Sequence, residues 1–161
     1  MKISVSLGNI DEAIRRIEEY EKSLPDKCRK LIQRLTDEGV SIARAKIVSM
    51  GAFEDGELLE SMQGLLYKEG NKGMIVADCK HAAFVEFGTG VVGKGKQHPD
   101  IPVPWTYDSN EHGEDGWYYY DKEQGRYRFT KGMPSRPFMY ETAAELRNKL
   151  TEYAKEVFKS D

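Results

Sequence analysis

The sequence predicts an α+β fold: N-terminal helices including one long helix, a small antiparallel sheet, a long loop with an aromatic hairpin, and a C-terminal helix. Three observations carry this. Apolar residues recur at spacings of three and four over residues 10–24, 25–50 and 139–157, the signature of amphipathic helices. Between these stretches lie short runs that alternate apolar and polar residues, punctuated by Gly and Asn. Glycine and proline crowd residues 88–104, where no long element is expected.

Taken in order, residues 1–7 alternate Ile3, Val5 and Leu7 against Lys2, Ser4 and Ser6, a short strand that Gly8 ends. Asn9 or Asp11 then caps a helix with Ile10, Ala13, Ile14, Ile17 and Leu24 on one face. Pro25 is placed to open a second, longer helix, because a first-turn proline forfeits no needed donor. Its stripe is Cys28, Leu31, Ile32, Leu35, Ile42, Ala43, Ile47 and Met50, with Gly39 leaving room for close packing. Cys28 on that stripe reads as a small buried apolar residue.

Residues 51–56 break the chain, and strands at 63–68 and 73–78 are joined by Gly70, Asn71 and Lys72 in a hairpin. Residues 81–87 suit either a strand or one to two helical turns, and 88–95 reads as a glycine-rich loop. A second hairpin is expected from 117–120 and 126–131, with its turn near 123–125. The last helix follows Ser135 as its cap, with Met139, Ala143, Leu146, Leu150, Tyr153, Ala154 and Val157 inward and Glu145–Lys149 as an i,i+4 pair.

Composition narrows the function classes. The 161 residues suit one domain (1–161, with 91–132 as an insertion), and 39% hydrophobic residues suffice for a core. There is no apolar run of the roughly 20 residues that a spanning helix needs. The first nine residues hold one Lys and no continuous apolar stretch of a signal peptide, so the expected setting is a cytoplasm. Two cysteines cannot build a disulfide framework. The 24 Lys+Arg against 27 Asp+Glu, net −3, speak against nucleic acid as the main partner.

Each candidate site has a plainer counterpart. Residues 88–95 (Gly88, Thr89, Gly90, Val91, Val92, Gly93, Lys94, Gly95) nearly spell a phosphate-binding loop and suggest, as the alternative class, a small enzyme or nucleotide-binding protein. Gly95 stands where the magnesium-binding hydroxyl belongs, and Pro99, Pro102 and Pro104 oppose a following helix, so no cofactor is expected. Cys79 and His81 have a spacing that a metal tolerates, but His98 and His112 are distant and unpaired, so no metal site is expected. No nucleophile elbow or Ser/His/Asp set supports catalysis. Glu54–Asp55 and Glu114–Asp115 read as solvated loop charges.

Residues 105–129 hold Trp105, Tyr107, Trp117, Tyr118, Tyr119, Tyr120, Tyr127 and Phe129, eight of the 17 aromatics. Residues 91–131 carry six Lys/Arg against seven Asp/Glu, which disfavours a base-stacking platform and leaves a hairpin core or a protein-binding surface. Glu86, between Phe84 and Phe87 in an apolar setting, needs a partner, and Arg136 is the candidate: a pair that would lock the central segment to the closing helix.

Two blocks then resemble a known family. His81-Ala82-Ala83-Phe84-Val85-Glu86-Phe87-Gly88-Thr89-Gly90, with Ser135-Arg136-Pro137-Phe138-Met139 and a closing helix, resembles the tail-component family typified by the gene-ten product of a lambdoid siphophage. Gly56-Glu57-Leu58-Leu59-Glu60-Ser61-Met62 matches a further segment of that pattern, with Asp55 replacing a Thr. The similarity covers about residues 10–158, and the departure from it is the insertion 91–132. It implies a non-enzymatic structural protein of a tailed phage or prophage, acting at the neck or the head-proximal tail end in the virion. It further implies a ring oligomer, with itself, connector or head-closure proteins, and tail-tube or tail-terminator proteins as partners, and no membrane or specific nucleic acid. The aromatic insertion is the expected contact surface.

Overall fold

The computed structural model describes residues 7–52, 56–101, 105–107, 111, 115–121 and 124–159. The expected strand at 1–7 lies outside them except for Leu7, which already begins a helix. Helix α1 runs Leu7–Ser49, 43 residues or about 65 Å at the usual rise. It replaces the two helices expected on either side of Pro25, which lies inside it. Asn9 and Asp11 are therefore interior residues, not caps. An interior proline loses one backbone bond. Here the Ser23 hydroxyl donates to the Tyr20 carbonyl at 2.7 Å beside that gap, and the good helix formers around Pro25 carry the helix on.

The remaining elements are α2 (Glu57–Glu60), β1 (Met62–Tyr67), β2 (Lys72–Ala77), α3 (Ala82–Phe87), α4 (Gly90–Gly95), β3 (Trp117–Asp121), β4 (Arg126–Thr130), β5 (Gly132–Met133) and α5 (Phe138–Phe158). The α+β class and both hairpins hold. Strands β1 and β2 pair antiparallel from Met62↔Ala77 to Tyr67↔Lys72, and β3 and β4 from Trp117↔Thr130 to Asp121↔Arg126. Residues 81–87 resolve as helix. The glycine-rich "loop" at 88–95 is a short helix from Gly90: the backbone of residues 131–133 lies against its start, and Tyr107 and Lys131 carbonyls accept its first-turn N–H groups.

The core is Ala43, Ile47, Ala52, Leu58, Met62, Ala82, Val85 and Phe138, joining the C-terminal half of α1 to α2, β1, α3 and the start of α5. Gly39 does serve close packing: a Cβ there would collide with Ile75 and sit 2.9 Å from Leu146. Cys28, by contrast, is exposed, because the stripe turns inward only from Leu31 onward. In α5 the buried residues are Phe138, Thr142 and Tyr153; Tyr153 is inward as expected, whereas Leu150 is exposed.

Helices α1 and α5 run antiparallel, laced by Lys46 to Glu141 and Glu145 (3.2 and 3.3 Å), Lys149 to Glu38 (2.6 Å) and Arg34 to Glu156. Tyr20 and Lys27 each donate to a terminal carbonyl of α5, of Phe158 and Lys159 respectively, both at 3.1 Å, which satisfies orphan acceptors at a helix C-terminus. Because α5 ends at that level, the first turns of α1 run past it. Ile10, Ile14 and Ile17 form an apolar stripe left exposed. No helix among the described residues is long and apolar enough to cross a membrane.

Candidate functional site

The two blocks that carry the resemblance meet at one side chain, Glu86. Placed on α3 and only 6% exposed, its carboxylate accepts three hydrogen bonds. Oε2 takes the N–H of Met139 and Oε1 the N–H of Tyr140, each at 2.9 Å; these are first-turn donors of α5. Pro137 at the N-cap offers no side-chain cap, so Glu86 caps α5 from across the fold, where a negative charge also suits the helix dipole. The third donor is His98 Nε2 at 3.0 Å, itself 6% exposed. His98 Nδ1 accepts the N–H of Asp100 at 2.9 Å, which assigns the proton to Nε2.

This corrects the expected Glu86–Arg136 pair. Arg136 supplies its backbone N–H to Val85 O at 2.9 Å, and no ion pair joins its side chain to Glu86. The expected outcome, central segment locked to closing helix, is nevertheless what the carboxylate achieves. His98, a distant candidate ligand by spacing, is Glu86's buried partner. Ser135, expected as a helix cap, gives its hydroxyl to Glu86 O at 2.6 Å.

Rings enclose this node. Phe87 meets His98 at 4.8 Å and Trp105 at 4.9 Å between centroids, and Tyr140 meets His98 edge-on at 5.3 Å. Thr89 bridges to Met133 and Gly90 to Gly132. These two glycines face each other so closely that a Cβ on Gly132 would strike the Thr89 carbonyl and one on Gly90 the Lys131 carbonyl; both also have positive φ (+99° and +61°). The Gly-Thr-Gly spelling is thus required by backbone-to-backbone approach.

The same approach answers the phosphate-loop reading. Gly90 N–H donates to Tyr107 O at 2.5 Å and Val92 N–H to Lys131 O at 3.3 Å, so these first-turn donors are already engaged by the protein.

The structure sorts the eight aromatics. Trp105 and Tyr107 are half-buried, and Trp105 packs on Phe84 and Phe87. Their polar atoms, Nε1 and the hydroxyl, are buried without a hydrogen-bond partner. Trp117 is half-buried and Tyr119, across from Arg128, lies at the margin of exposure. The other four share one face of the β3–β4 ribbon: Tyr118 opposite Phe129 and Tyr120 opposite Tyr127, edge-on at 5.2 and 5.3 Å. Their exposures are 70%, 50%, 53% and 72%, far above what a hairpin core would leave. The opposite face carries Asp121, buried and paired with Arg128 at 3.2 Å. Residues 91–132 are therefore two things: the flanks (His98, Trp105, Tyr107, Lys131) are built into the fold, and the ribbon presents a four-ring surface.

A second cluster joins Cys79 and His81, the pair whose spacing a metal tolerates, to Glu57, which spacing alone does not connect to them. Cys79 Sγ lies 3.2 Å from both ring nitrogens of His81, and Glu57 Oε2 lies 3.9 Å from His81 Nδ1. The distant histidines considered alongside them are not involved: His98 is bound to Glu86, and His112 lies outside the described residues. The carboxylate pairs Glu54–Asp55 and Glu114–Asp115 likewise fall outside them except for Asp115, which is exposed.

No family model, curated protein or solved structure matches this chain.

Proposed function

We propose that this chain is a non-enzymatic structural protein of a tailed phage or prophage that assembles as a ring at the neck or the head-proximal end of the tail. The observation that carries this reading is the union of its two sequence blocks. Residues 81–90 and 135–139, far apart in the chain, are joined through the Glu86 carboxylate and the Ser135 hydroxyl into one unit, with the Thr89–Met133 bridge just before the second block. Residues committed to packing in this way suit a scaffold rather than a catalytic centre.

The exposed surfaces support assembly. The rings of Tyr118, Tyr120, Tyr127 and Phe129 form an apolar patch of residue types favoured as interface anchors, and Ile10, Ile14 and Ile17 form another apolar stripe. Neighbours in a ring meet through two different surfaces, so a subunit with two such patches suits a head-to-tail contact.

The test is direct. The purified chain, alone and mixed with head-closure and tail-tube proteins from the same phage or prophage, is followed by light scattering and negative-stain microscopy. Closed rings or joined head–tail particles are expected. A chain that stays monomeric in every mixture overturns the reading.

A further inference from the structure

We propose that Glu57, Cys79 and His81 form a zinc site that fastens α2 to the turn entering α3. The donors belong to two segments whose backbones are already fixed. Cys79 to Ala82 is a tight turn closed by Ala82 N–H to Cys79 O at 3.1 Å, which brings the side chains of Cys79 and His81 to one side. Val85 N–H to His81 O at 3.0 Å continues that turn into α3. Opposite it, Leu58 is 1% exposed in the core and Asp78 N–H reaches Ser61 O at 3.3 Å, so the start of α2, and Glu57 with it, is held beside β2's exit.

One thiol, one imidazole and one carboxylate oxygen, all within 4.8 Å of one another, make a ligand set suited to zinc. Tetrahedral bonds to zinc place such donors about 3.5 Å apart. The sulfur–nitrogen separation of 3.2 Å is near that value, and the 3.9 Å gap from Glu57 to Nδ1 closes with a rotamer adjustment of a half-exposed carboxylate. The sulfur stands equally far from both ring nitrogens, off the in-plane lone pair of each, so ligation through Nδ1 turns the ring toward the sulfur and Glu57. The soft thiolate selects zinc over magnesium or calcium. On binding, the Cys79 thiol gives its proton to solvent, His81 ligates as neutral imidazole through Nδ1, and water takes the fourth position, open because His81 and Glu57 keep 39% and 59% of their side-chain surfaces exposed.

The experiment is metal titration of the full-length, tag-free chain with zinc chloride, followed by thermal unfolding, and with cobalt chloride, followed by absorption. One zinc per chain with a raised melting temperature is expected, together with a thiolate-to-cobalt charge-transfer band and intense visible bands of a tetrahedral centre. Cys79→Ser, His81→Asn and Glu57→Gln should weaken or abolish both signals, and Cys28→Ser should leave them intact. Cys79 packs on the core, so if its variant fails to fold, the cobalt spectrum of the natural chain and the two more exposed variants decide. Absence of the charge-transfer band, or a zinc shift that survives His81→Asn and Glu57→Gln, overturns the proposal.

Discussion

The Glu86 carboxylate holds the Nε2–H of His98 at 3.0 Å, with both side chains buried, while also capping the first turn of α5. Removing one member of a buried charged hydrogen-bond set strands the others. Glu86→Ala is expected to cost about 3–5 kcal/mol, read from urea unfolding. Arg136→Ala should stay within about 0.5 kcal/mol of the natural chain, because only its backbone is used. Equal effects of the two substitutions would mean that the cap is not the lock.

His98→Ala removes the third donor and leaves the Asp100 N–H without its acceptor. A loss of about 1–3 kcal/mol is expected. A near-neutral result in the melting temperature would show that water replaces the ring.

Two glycines should respond with opposite signs. Gly132→Ala forces a Cβ into the Thr89 carbonyl at φ +99° and should destabilise by at least about 2 kcal/mol. Gly95→Ala has open space around its Cβ, lies at the end of α4 without positive φ, and should be neutral or stabilising by up to about 1 kcal/mol. Comparing the two melting curves checks the proposed close approach of residues 88–95 to 131–133.

The α1–α5 lacing predicts loss of stability at both pH extremes. The hydrogen bond from Lys149 holds the Glu38 carboxyl below its ordinary range, so its stabilisation is present above the unfolded-state value and lost as pH falls through the lowered native one. Lys149 and Lys46 are raised, chiefly by hydrogen bonds to Glu38 and to Glu141. Their stabilisation is present below the unfolded-state lysine value and lost as pH rises through the raised native one. Glu38→Gln should therefore be less stable than the natural chain near neutrality and equal to it once Glu38 is protonated. A urea-midpoint difference that persists unchanged in acid would exclude the linkage.

Tyr118→Ser with Tyr127→Ser removes the two most exposed rings of the ribbon and should leave the melting temperature nearly unchanged while abolishing self-association or partner capture. Excising residues 91–132 would be a poor substitute, since His98, Tyr107 and Lys131 hold the rest of the fold. Assembly that is unaffected by the double substitution would place the interface elsewhere.

Local pattern alone determined a good part of this protein. The 3.6-residue period of 25–50 and 139–157, the Gly-Asn hairpin at 70–71 and the alternating aromatics at 117–120 and 126–131 each encode an element, because burying one face of a helix or ribbon imposes its period on neighbouring residues. Pro25 misled because its local cost is smaller than what a continuous helix gains elsewhere. Tertiary structure alone decided the rest. Glu86's partners lie 12, 53 and 54 residues away, two of them backbone N–H groups that no residue type announces. Glu57 reaches Cys79 and His81 only because Leu58 and Val85 share a core. Whether residues 88–95 were loop or helix, and which aromatics faced solvent, depended on what packs against them. Spacing in the chain carries no record of such meetings; they are set by which buried faces come together.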